Sequence, residues 1–239
     1  MRYNSLGAHG PRVSAVGLGC YTFGRYLDLP ATRNVVDAAL DAGINLLDTA
    51  DVYGGTRSEE FLGLALDARR SEVVLATKFG QSADLGYGAD AGPKGGATYI
   101  RRAAEASLRR LHTDYIDLYQ MHVPDPSVPI AETLASLHEL VQQGKVRYIG
   151  CSNFTANQFR EAAIAAEVSG TIAFTSAQNH WSLLEREAES HLVPTAVALG
   201  VGVLPYFPLA NGLLTGKLRP SGTATPGTRL AHHPHWLTE

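Results

Sequence analysis

Short apolar runs alternate with longer helical patterns along most of the chain, and six of the runs stop at a polar residue able to do chemistry. This alternation is typical of βα units with parallel strands, whose carboxyl ends lie on one rim of the sheet. In a closed ring of such units the active site lies on that rim. The pattern therefore predicts one site that gathers Asp48, Lys78, His122, Asn153, Gln178 and Tyr206.

The same pattern predicts the order of the elements. Residues 2–14 are expected to form a short hairpin around Gly7 to Gly10, followed by a first barrel strand at about Ala15 to Cys20. Seven barrel strands are expected, and after Arg219 no apolar run offers an eighth. The helical patterns are predicted to begin near Ala31, Ser58, Ala97, Pro129, Thr155 and Ser182.

Several positions suit helix ends and loops. Thr155 and Ser58 fit N-caps, because a side-chain oxygen can accept a free amide of the first turn. Gly43 and Gly144 fit C-caps. The long insertion GQSADLGYGADAGPKGGA follows the strand that ends at Lys78. Long loops on this rim usually bind substrate, and a solvated linker is an equal alternative on composition.

Composition narrows the class of protein. A chain of 239 residues, 45% apolar and 18% charged, predicts a single soluble globular domain over residues 1–239. A net charge of −3 without a basic stripe argues against a nucleic-acid partner. Without an apolar stretch that could form a signal core or span a bilayer, no membrane association and a cytoplasmic location are expected. The oligomeric state stays open.

Two local features, the cysteines and the closing histidines, have less bearing on function. Cys20 and Cys151 lie in strand-like runs without CxxC spacing, which favours reduced core thiols over a redox pair. The closing HHPHW holds His232, His233 and His235. Histidines this close cannot easily face one ion, and no carboxylate or cysteine completes a ligand set. A polar loop or tail is therefore expected there, and no metal site.

Four of the rim residues form a chemical group: Asp48, Tyr53, Lys78 and His122. A phenol has a pKa near 10, and the ammonium of Lys78 is expected to lower the pKa of Tyr53 by favouring the phenolate. Asp48 would hold Lys78, and His122 would orient a carbonyl oxygen. Each residue alone suits a turn cap, a solvated charge or a loop aromatic, but together they indicate a general acid that protonates a carbonyl oxygen.

The motifs around these residues resemble the aldo-keto reductase family. They span nearly the whole chain in the family's order, which makes the likeness specific. Two departures occur: Phe207 stands where the family more often has serine, and Trp181 where tyrosine is usual. The matching stretches are VSAVGLGCYTFG, LLDTADVYGGTRSEEFLG, LATKFG, SLRRLHTDYIDLYQMHVPD, ETLASLHELVQQGKVRYIGCSN and PLANGLLTGKL.

The resemblance implies an α/β fold of the TIM (β/α)8-barrel type that binds a nicotinamide cofactor, usually NADPH, without a Rossmann domain. It implies that Tyr53 is the proton donor, that Lys78 and Asp48 tune it, and that His122 positions the substrate carbonyl. The positions implied to contact the cofactor are Ser152, Asn153 and Gln178 at the carboxamide, Tyr206 on the ring, Phe207, Pro208, Leu209 and Lys217 at the pyrophosphate, and Cys20, Tyr21 and Asp48 near strands one and two.

The family continues beyond the point where this sequence stops, with a further helix, an eighth strand and a last helix. The expected fold is therefore the barrel with an N-terminal β-hairpin and without the last βα unit, open between strands one and seven. The absent region holds the adenosine 2′-phosphate in the family, so NADP is the implied cofactor, weak binding is expected, and NAD stays open.

Two classes of function follow from the resemblance. The first is an oxidoreductase that reduces an aldehyde or ketone, with Tyr21, Tyr53, Trp181 and the loop after Lys78 walling a pocket for a modest apolar or aromatic carbonyl. The second is a cofactor-binding regulatory or scaffold protein, similar to the potassium-channel β subunits. An inactive shortened form is a third alternative.

Overall fold

Strands and helices alternate through the computed structural model, which describes residues 1–81, 84–217, 226 and 231. Short 3₁₀ helices cover Asp67–Glu72, Glu187–Glu189 and Ala210–Thr215. The α-helices are α1 (Leu29–Asp41), α2 (Arg57–Leu66), α3 (Ala97–Arg110), α4 (Ile130–Gln142), α5 (Ala156–Ser169) and α6 (Leu192–Ala198). The strands are β1 (Tyr3–Ser5), β2 (Arg12–Ser14), β3 (Gly17–Gly19), β4 (Leu46–Asp48), β5 (Val74–Phe79), β6 (Ile116–Met121), β7 (Val146–Ser152), β8 (Ser176–His180) and β9 (Gly202–Tyr206).

Strands β3 to β9 form one parallel sheet in chain order, which confirms the predicted seven barrel strands. The sheet curls into a half-barrel, and within the described residues β3 and β9 do not pair with each other. The register places the carboxyl ends of the strands along one rim. The predicted gap between the first and seventh barrel strands is therefore observed.

The N-terminal hairpin covers the interior of the sheet at its amino-terminal end. β1 and β2 pair antiparallel, as predicted. Leu6 and Val13 pack with inward-facing side chains of the sheet, among them Leu46 and Leu118. The hairpin turn also reaches β9, because a Cβ on Gly7 would lie 2.7 Å from the backbone nitrogen of Gly202. A glycine is required at that turn, where φ is +70°.

The outer face of the sheet is packed against the helices in two clusters. One joins β4 and β5 to α1 and α2 through buried residues such as Leu47, Leu75 and Leu62. The larger one joins β5 to β8 with α3, α4 and α5. In the described part of the chain, no helix combines the length and the apolar character that crossing a bilayer requires.

Two sequence predictions about helices are wrong. Ser58 is not an N-cap: Thr56 precedes α2 with φ +79°, and the buried Ser58 hydroxyl instead donates to Cys20 O at 2.8 Å. No helix begins near Ser182, where the chain turns before α6 starts at Leu192. Local spacing cannot distinguish a capping hydroxyl from one that a neighbouring loop uses.

The other helix ends agree with the sequence. Thr155 caps α5, and its side chain and that of Gln158 form a capping box. Gly43 and Gly144 follow the C-cap residues of α1 and α4, Ala42 and Gln143, with φ of +80° and +72°. These are the left-handed positions that glycine adopts without strain, so the chain can turn sharply toward the next strand.

The β5–α3 loop, residues 80–96, is anchored to the rest of the protein at several of the positions that the structure describes. Ala91 is buried in the larger cluster, and Arg102 of α3 donates to Asp90 and to Tyr87 O. The backbone N–H of Gly95 donates to Asp125 Oδ2 at 2.9 Å. This loop therefore forms part of the rim. Ser82 and Ala83, the three histidines of the predicted polar tail, and the segment after Arg219 apart from Pro226 and Ala231 lie outside the described residues.

Candidate active site

The four residues of the predicted acid group meet at the rim. Lys78, near the end of β5, is fully buried. Its Nζ donates to Asp48 Oδ2 at 2.6 Å, to Thr49 O at 2.8 Å and to Tyr53 Oη at 3.4 Å. The His122 ring lies edge-on to the Tyr53 ring, with the centroids 5.9 Å apart. One ammonium thus joins a carboxylate to a phenol beside an imidazole.

A glutamine that the sequence analysis missed belongs to this group. Asp48 Oδ1 accepts hydrogen bonds from Gln120 Nε2 and Gln178 Nε2, both at 3.0 Å. Both carboxylate oxygens of Asp48 are therefore bonded, and Oδ2 is directed to Lys78. Alternation along β6 gives the signal that could have found Gln120, since it lies two residues before His122 on the same face of the strand.

Tyr53 is held by its loop and by a second tyrosine. Gly54 and Gly55 follow it with φ near +60°, and a Cβ on Gly54 would lie 2.7 Å from Phe23 O. The Tyr21 ring packs edge-on against Tyr53 at 5.2 Å. The tight Gly54–Gly55 turn explains why glycines follow the tyrosine in the sequence.

Lys78 acts on the pKa of Tyr53 in the expected direction, but the sequence did not predict the larger effect of burial. Burial raises the pKa of Tyr53 above 10, and the opposing effect of Lys78 only partly offsets it. Burial alone would lower the pKa of Lys78, but attraction to Asp48 and Tyr53 outweighs burial and raises that pKa. Tyr53 is therefore a protonated phenol, and Lys78 is an ammonium, at neutral pH.

His122 is a neutral imidazole. Burial, helped by the nearby charge of Lys78, lowers the pKa of His122 to about 4. Its Nδ1 is buried and has no hydrogen-bond partner among the described residues. A neutral imidazole keeps one N–H donor, which suits hydrogen bonding to an uncharged carbonyl oxygen.

The residues expected at a carboxamide lie together at the ends of β7 and β8. Ser152 is opposite Gln178 in the register, and both are buried. Asn153 has φ +62° and donates from Nδ2 to His122 O at 2.9 Å. Its Oδ1 accepts from the Tyr206 hydroxyl, also at 2.9 Å. The amide side chains are thus next to the acid group.

The Tyr206 ring is part of an aromatic cluster that the sequence analysis recognised only in part. His180, which that analysis missed, stacks on Tyr206 with centroids 5.2 Å apart and ring planes 8° apart. Phe207 packs edge-on to Tyr206 at 5.2 Å. β8 extends to His180, two residues beyond the predicted strand end at Gln178, and this extension places His180 opposite Tyr206.

The remaining predicted contacts are less central. Cys20 is fully buried beside Asp48, and its backbone N–H donates to Asp48 O at 2.8 Å. Burial raises the pKa of its thiol. Trp181 donates from Nε1 to Glu189 at 3.0 Å. Pro208, Leu209 and Lys217 lie exposed in the segment after β9, and their role at a pyrophosphate stays a prediction.

These residues fit a nicotinamide ring. The amide N–H groups of Asn153 and Gln178 are engaged within the site, their oxygens can accept from a carboxamide, and Tyr206 offers an aromatic ring beside them. The acid group lies within hydrogen-bond reach of the same amides, because Gln178 bonds Asp48 directly. Cofactor and proton donor would therefore meet at one place on the rim.

The comparisons with known proteins identify the family to which the chain belongs. The family model described as Aldo/keto reductase family matches residues 15–235. The chain belongs to the aldo/keto reductase family, as its motifs predicted. It is 38% identical over 239 residues to a protein named probable aldo-keto reductase 1 from Glycine max. The alignment covers 98% of this chain and 66% of that protein, so the chain spans just under two thirds of its relative's length.

Proposed function

We propose that the chain reduces an aldehyde or ketone to an alcohol with NADPH, and that Tyr53 donates the proton. The observation that carries the proposal is the buried ammonium of Lys78, which bonds both Asp48 Oδ2 and Tyr53 Oη. When bound, the nicotinamide supplies a hydride to the carbonyl carbon. The proton on Tyr53 Oη goes to the carbonyl oxygen, which completes the alcohol.

Tyr53 and Lys78 divide the work of proton transfer. Burial keeps Tyr53 protonated until negative charge develops on the substrate oxygen. The phenolate that remains after transfer is stabilised by the ammonium of Lys78, 3.4 Å away. Asp48, fixed by two glutamine amides, holds Lys78 in place. Such general acid catalysis typically contributes about a hundred- to ten-thousand-fold in rate.

His122 would hold the carbonyl oxygen through its N–H, and this role gives a pH prediction. Because the pKa of His122 is lowered to about 4, its charge does not change between about pH 5 and pH 8. We expect the pH dependence of kcat/KM in wild type to contain no step, near the ordinary histidine pKa of about 6.5, that is lost in His122→Gln. His122→Gln should lower kcat/KM about tenfold or more across that range.

The control is His138→Gln on α4, a histidine whose ring bonds Gln142 away from the rim. It should leave kcat/KM at the wild-type value. A step near pH 6.5 that disappears in His122→Gln would show that His122 is charged in the working range, and would contradict this role.

Cofactor choice is tested by fluorescence titration. We expect saturable binding of NADPH, with NADH weaker, and Asn153→Ala should weaken both because it removes a carboxamide partner. Asn157→Ala on α5, where the side-chain oxygen accepts a hydrogen bond from Arg160, should not weaken the binding of either cofactor. Binding without turnover of any aromatic or aliphatic carbonyl would favour a cofactor-binding scaffold instead.

A further inference from the structure

A second buried group of ionisable side chains lies behind the β4–α2 loop, residues 49–56, which carries Tyr53. The Asp51 cluster, as we name it, consists of Asp51, Glu59, Thr77, Tyr87 and Arg110. Asp51 and Glu59 are both fully buried. The proton chemistry described above uses none of these side chains, although burying two carboxylates is costly. The cluster therefore needs an explanation of its own.

Asp51 connects the two loops that border the site. It lies two residues before Tyr53, and its backbone N–H donates to Lys78 O at 3.1 Å. Its side-chain Oδ2 accepts a hydrogen bond from the hydroxyl of Tyr87 at 3.1 Å. Tyr87 belongs to the β5–α3 loop, so one carboxyl group joins that loop to the backbone of the Tyr53 loop.

Tyr87 is an anchor of the β5–α3 loop. Its ring packs edge-on against Tyr99 of α3 with centroids 5.2 Å apart. Its carbonyl oxygen accepts from Arg102 at 2.8 Å, and its hydroxyl accepts from Arg110 Nη2 at 3.4 Å. The hydrogen bond to Asp51 is its contact with the loop that carries the proton donor.

Among the residues that the structure describes, no cation forms an ion pair with Asp51. Arg110 pairs with Glu59 at 2.7 Å, and Thr77 also donates to Glu59, so the cation beside the cluster serves the other carboxylate. Asp51 Oδ1 has no hydrogen-bond partner among the residues that the structure describes. The buried hydroxyls of Tyr99 and Tyr119 also have no hydrogen-bond partner among those residues, and the charge of Asp51 would raise the pKa of both.

These surroundings favour a neutral Asp51. Burial, then repulsion by Glu59, raises the pKa of Asp51 to about 7, against the opposing effects of the Tyr87 hydrogen bond and of Arg110. A carboxyl group with its proton on Oδ1 still accepts from Tyr87 through Oδ2. The geometry and the charges thus agree on a protonated hydrogen-bond acceptor.

We propose that Asp51 is a positioning residue that holds the β5–α3 loop against the Tyr53 loop at the rim, through the hydrogen bond from Tyr87. The expected effect of Asp51 on substrate binding rests on the proposed function, whereas its expected effect on the position of the loop does not. With the β5–α3 loop held against the Tyr53 loop, Asp51 binds its proton more tightly than it would if the loop moved away and water reached the carboxyl group. The free energy that favours the held position of the loop should therefore decrease as pH rises from about 4 to about 7, and should stay constant above that.

Hydrogen–deuterium exchange of residues 84–96 tests the loop directly. After correction for intrinsic exchange rates, wild type should lose at least about tenfold in protection between about pH 5 and pH 8. Asp51→Asn, which mimics the protonated carboxyl, should keep its protection at both values. Asp51→Ala should be poorly protected at both. Asp67→Asn, the same change at an exposed position after α2, should behave like wild type.

Tyr87→Phe provides a second test if Asp51→Ala does not fold. It removes only the hydroxyl that bonds Asp51, and it should lower the protection of the loop at both pH values. The inference is overturned if Asp51→Asn shows the same pH dependence as wild type, or if Tyr87→Phe leaves exchange unchanged. Either result would assign Asp51 a purely structural role in folding.

Kinetics with p-nitrobenzaldehyde and NADPH extend the test to substrate. We expect KM to rise with pH in wild type and to stay constant in Asp51→Asn, with similar kcat in both. A wild-type chain without turnover would count against the proposed function, while the exchange measurements would still decide the role of Asp51. A loss of kcat in Asp51→Asn with unchanged KM would overturn the positioning role.

Discussion

Tyr53→Phe is expected to lower kcat for carbonyl reduction about a hundred- to ten-thousand-fold, because it removes the hydroxyl that donates the proton. The ring should stay in place, since its edge contacts with Tyr21 and His122 do not involve the hydroxyl. The affinity for NADPH should therefore change by less than about threefold. Steady-state oxidation of NADPH with an aromatic aldehyde, together with a fluorescence titration, measures both quantities.

Tyr26→Phe is the matched control for the loss of a tyrosine hydroxyl. Tyr26 is 46% exposed and lies outside the acid group. Its variant should keep wild-type kcat and NADPH affinity. Retention of full activity in Tyr53→Phe would exclude Tyr53 as the proton donor. A loss of NADPH affinity that equals the loss of kcat would show that the variant disturbs cofactor binding instead.

The sequence was sufficient to predict the sheet and its rim, because both follow from a repeated local pattern. Each strand is a short apolar run, and parallel pairing puts the chemically active residues at one set of ends. Asp48 and Lys78 therefore meet as expected. The fold beyond the rim also follows from local signals such as the Thr155 capping box.

What the sequence could not supply depends on contacts between distant elements. Gln120 bonds Asp48 from 72 positions away, and the polar character of Gln120 alone gives no sign of that partner. The pKa of Tyr53 depends on how deeply its loop is buried, which no spacing of residues encodes. Ser58 was misassigned because its partner, the carbonyl of Cys20, is brought near by tertiary packing.

Asp51 shows the same limit more strongly. In the run DTADVYG it is a polar residue in a turn, for which exposure is the usual expectation. Its electrostatic neighbours come from distant elements: Glu59 from α2, Arg110 from α3, Tyr119 from β6 and Tyr87 from the β5–α3 loop. A network assembled from that many elements becomes visible only once the fold is known.

The largest effect on stability is expected from Asp48→Ala, which should cost about 3 kcal/mol of unfolding free energy at pH 7. Lys78 is fully buried, and the variant leaves its charge without the carboxylate 2.6 Å away. Asp48 is itself 20% exposed, which keeps the cost at the low end for a broken buried pair. Lys78→Met should cost only about 1 kcal/mol, because Asp48 keeps two glutamine donors and some access to water.

The pH dependence separates this explanation from a loss of packing. In wild type the pKa of Lys78 is raised, so its contribution is complete below the unfolded pKa of about 10.4. Without Asp48, burial lowers that pKa, the unfolded chain binds more protons, and stability rises with pH. Urea denaturation should therefore show a smaller gap between wild type and Asp48→Ala at about pH 9 than at about pH 6. Asp37→Ala removes an exposed partner of Arg69 and should cost less than about 1 kcal/mol at either pH. If the difference in unfolding free energy between wild type and Asp48→Ala is the same at both pH values, the unpaired charge of Lys78 is not the cause of the destabilisation.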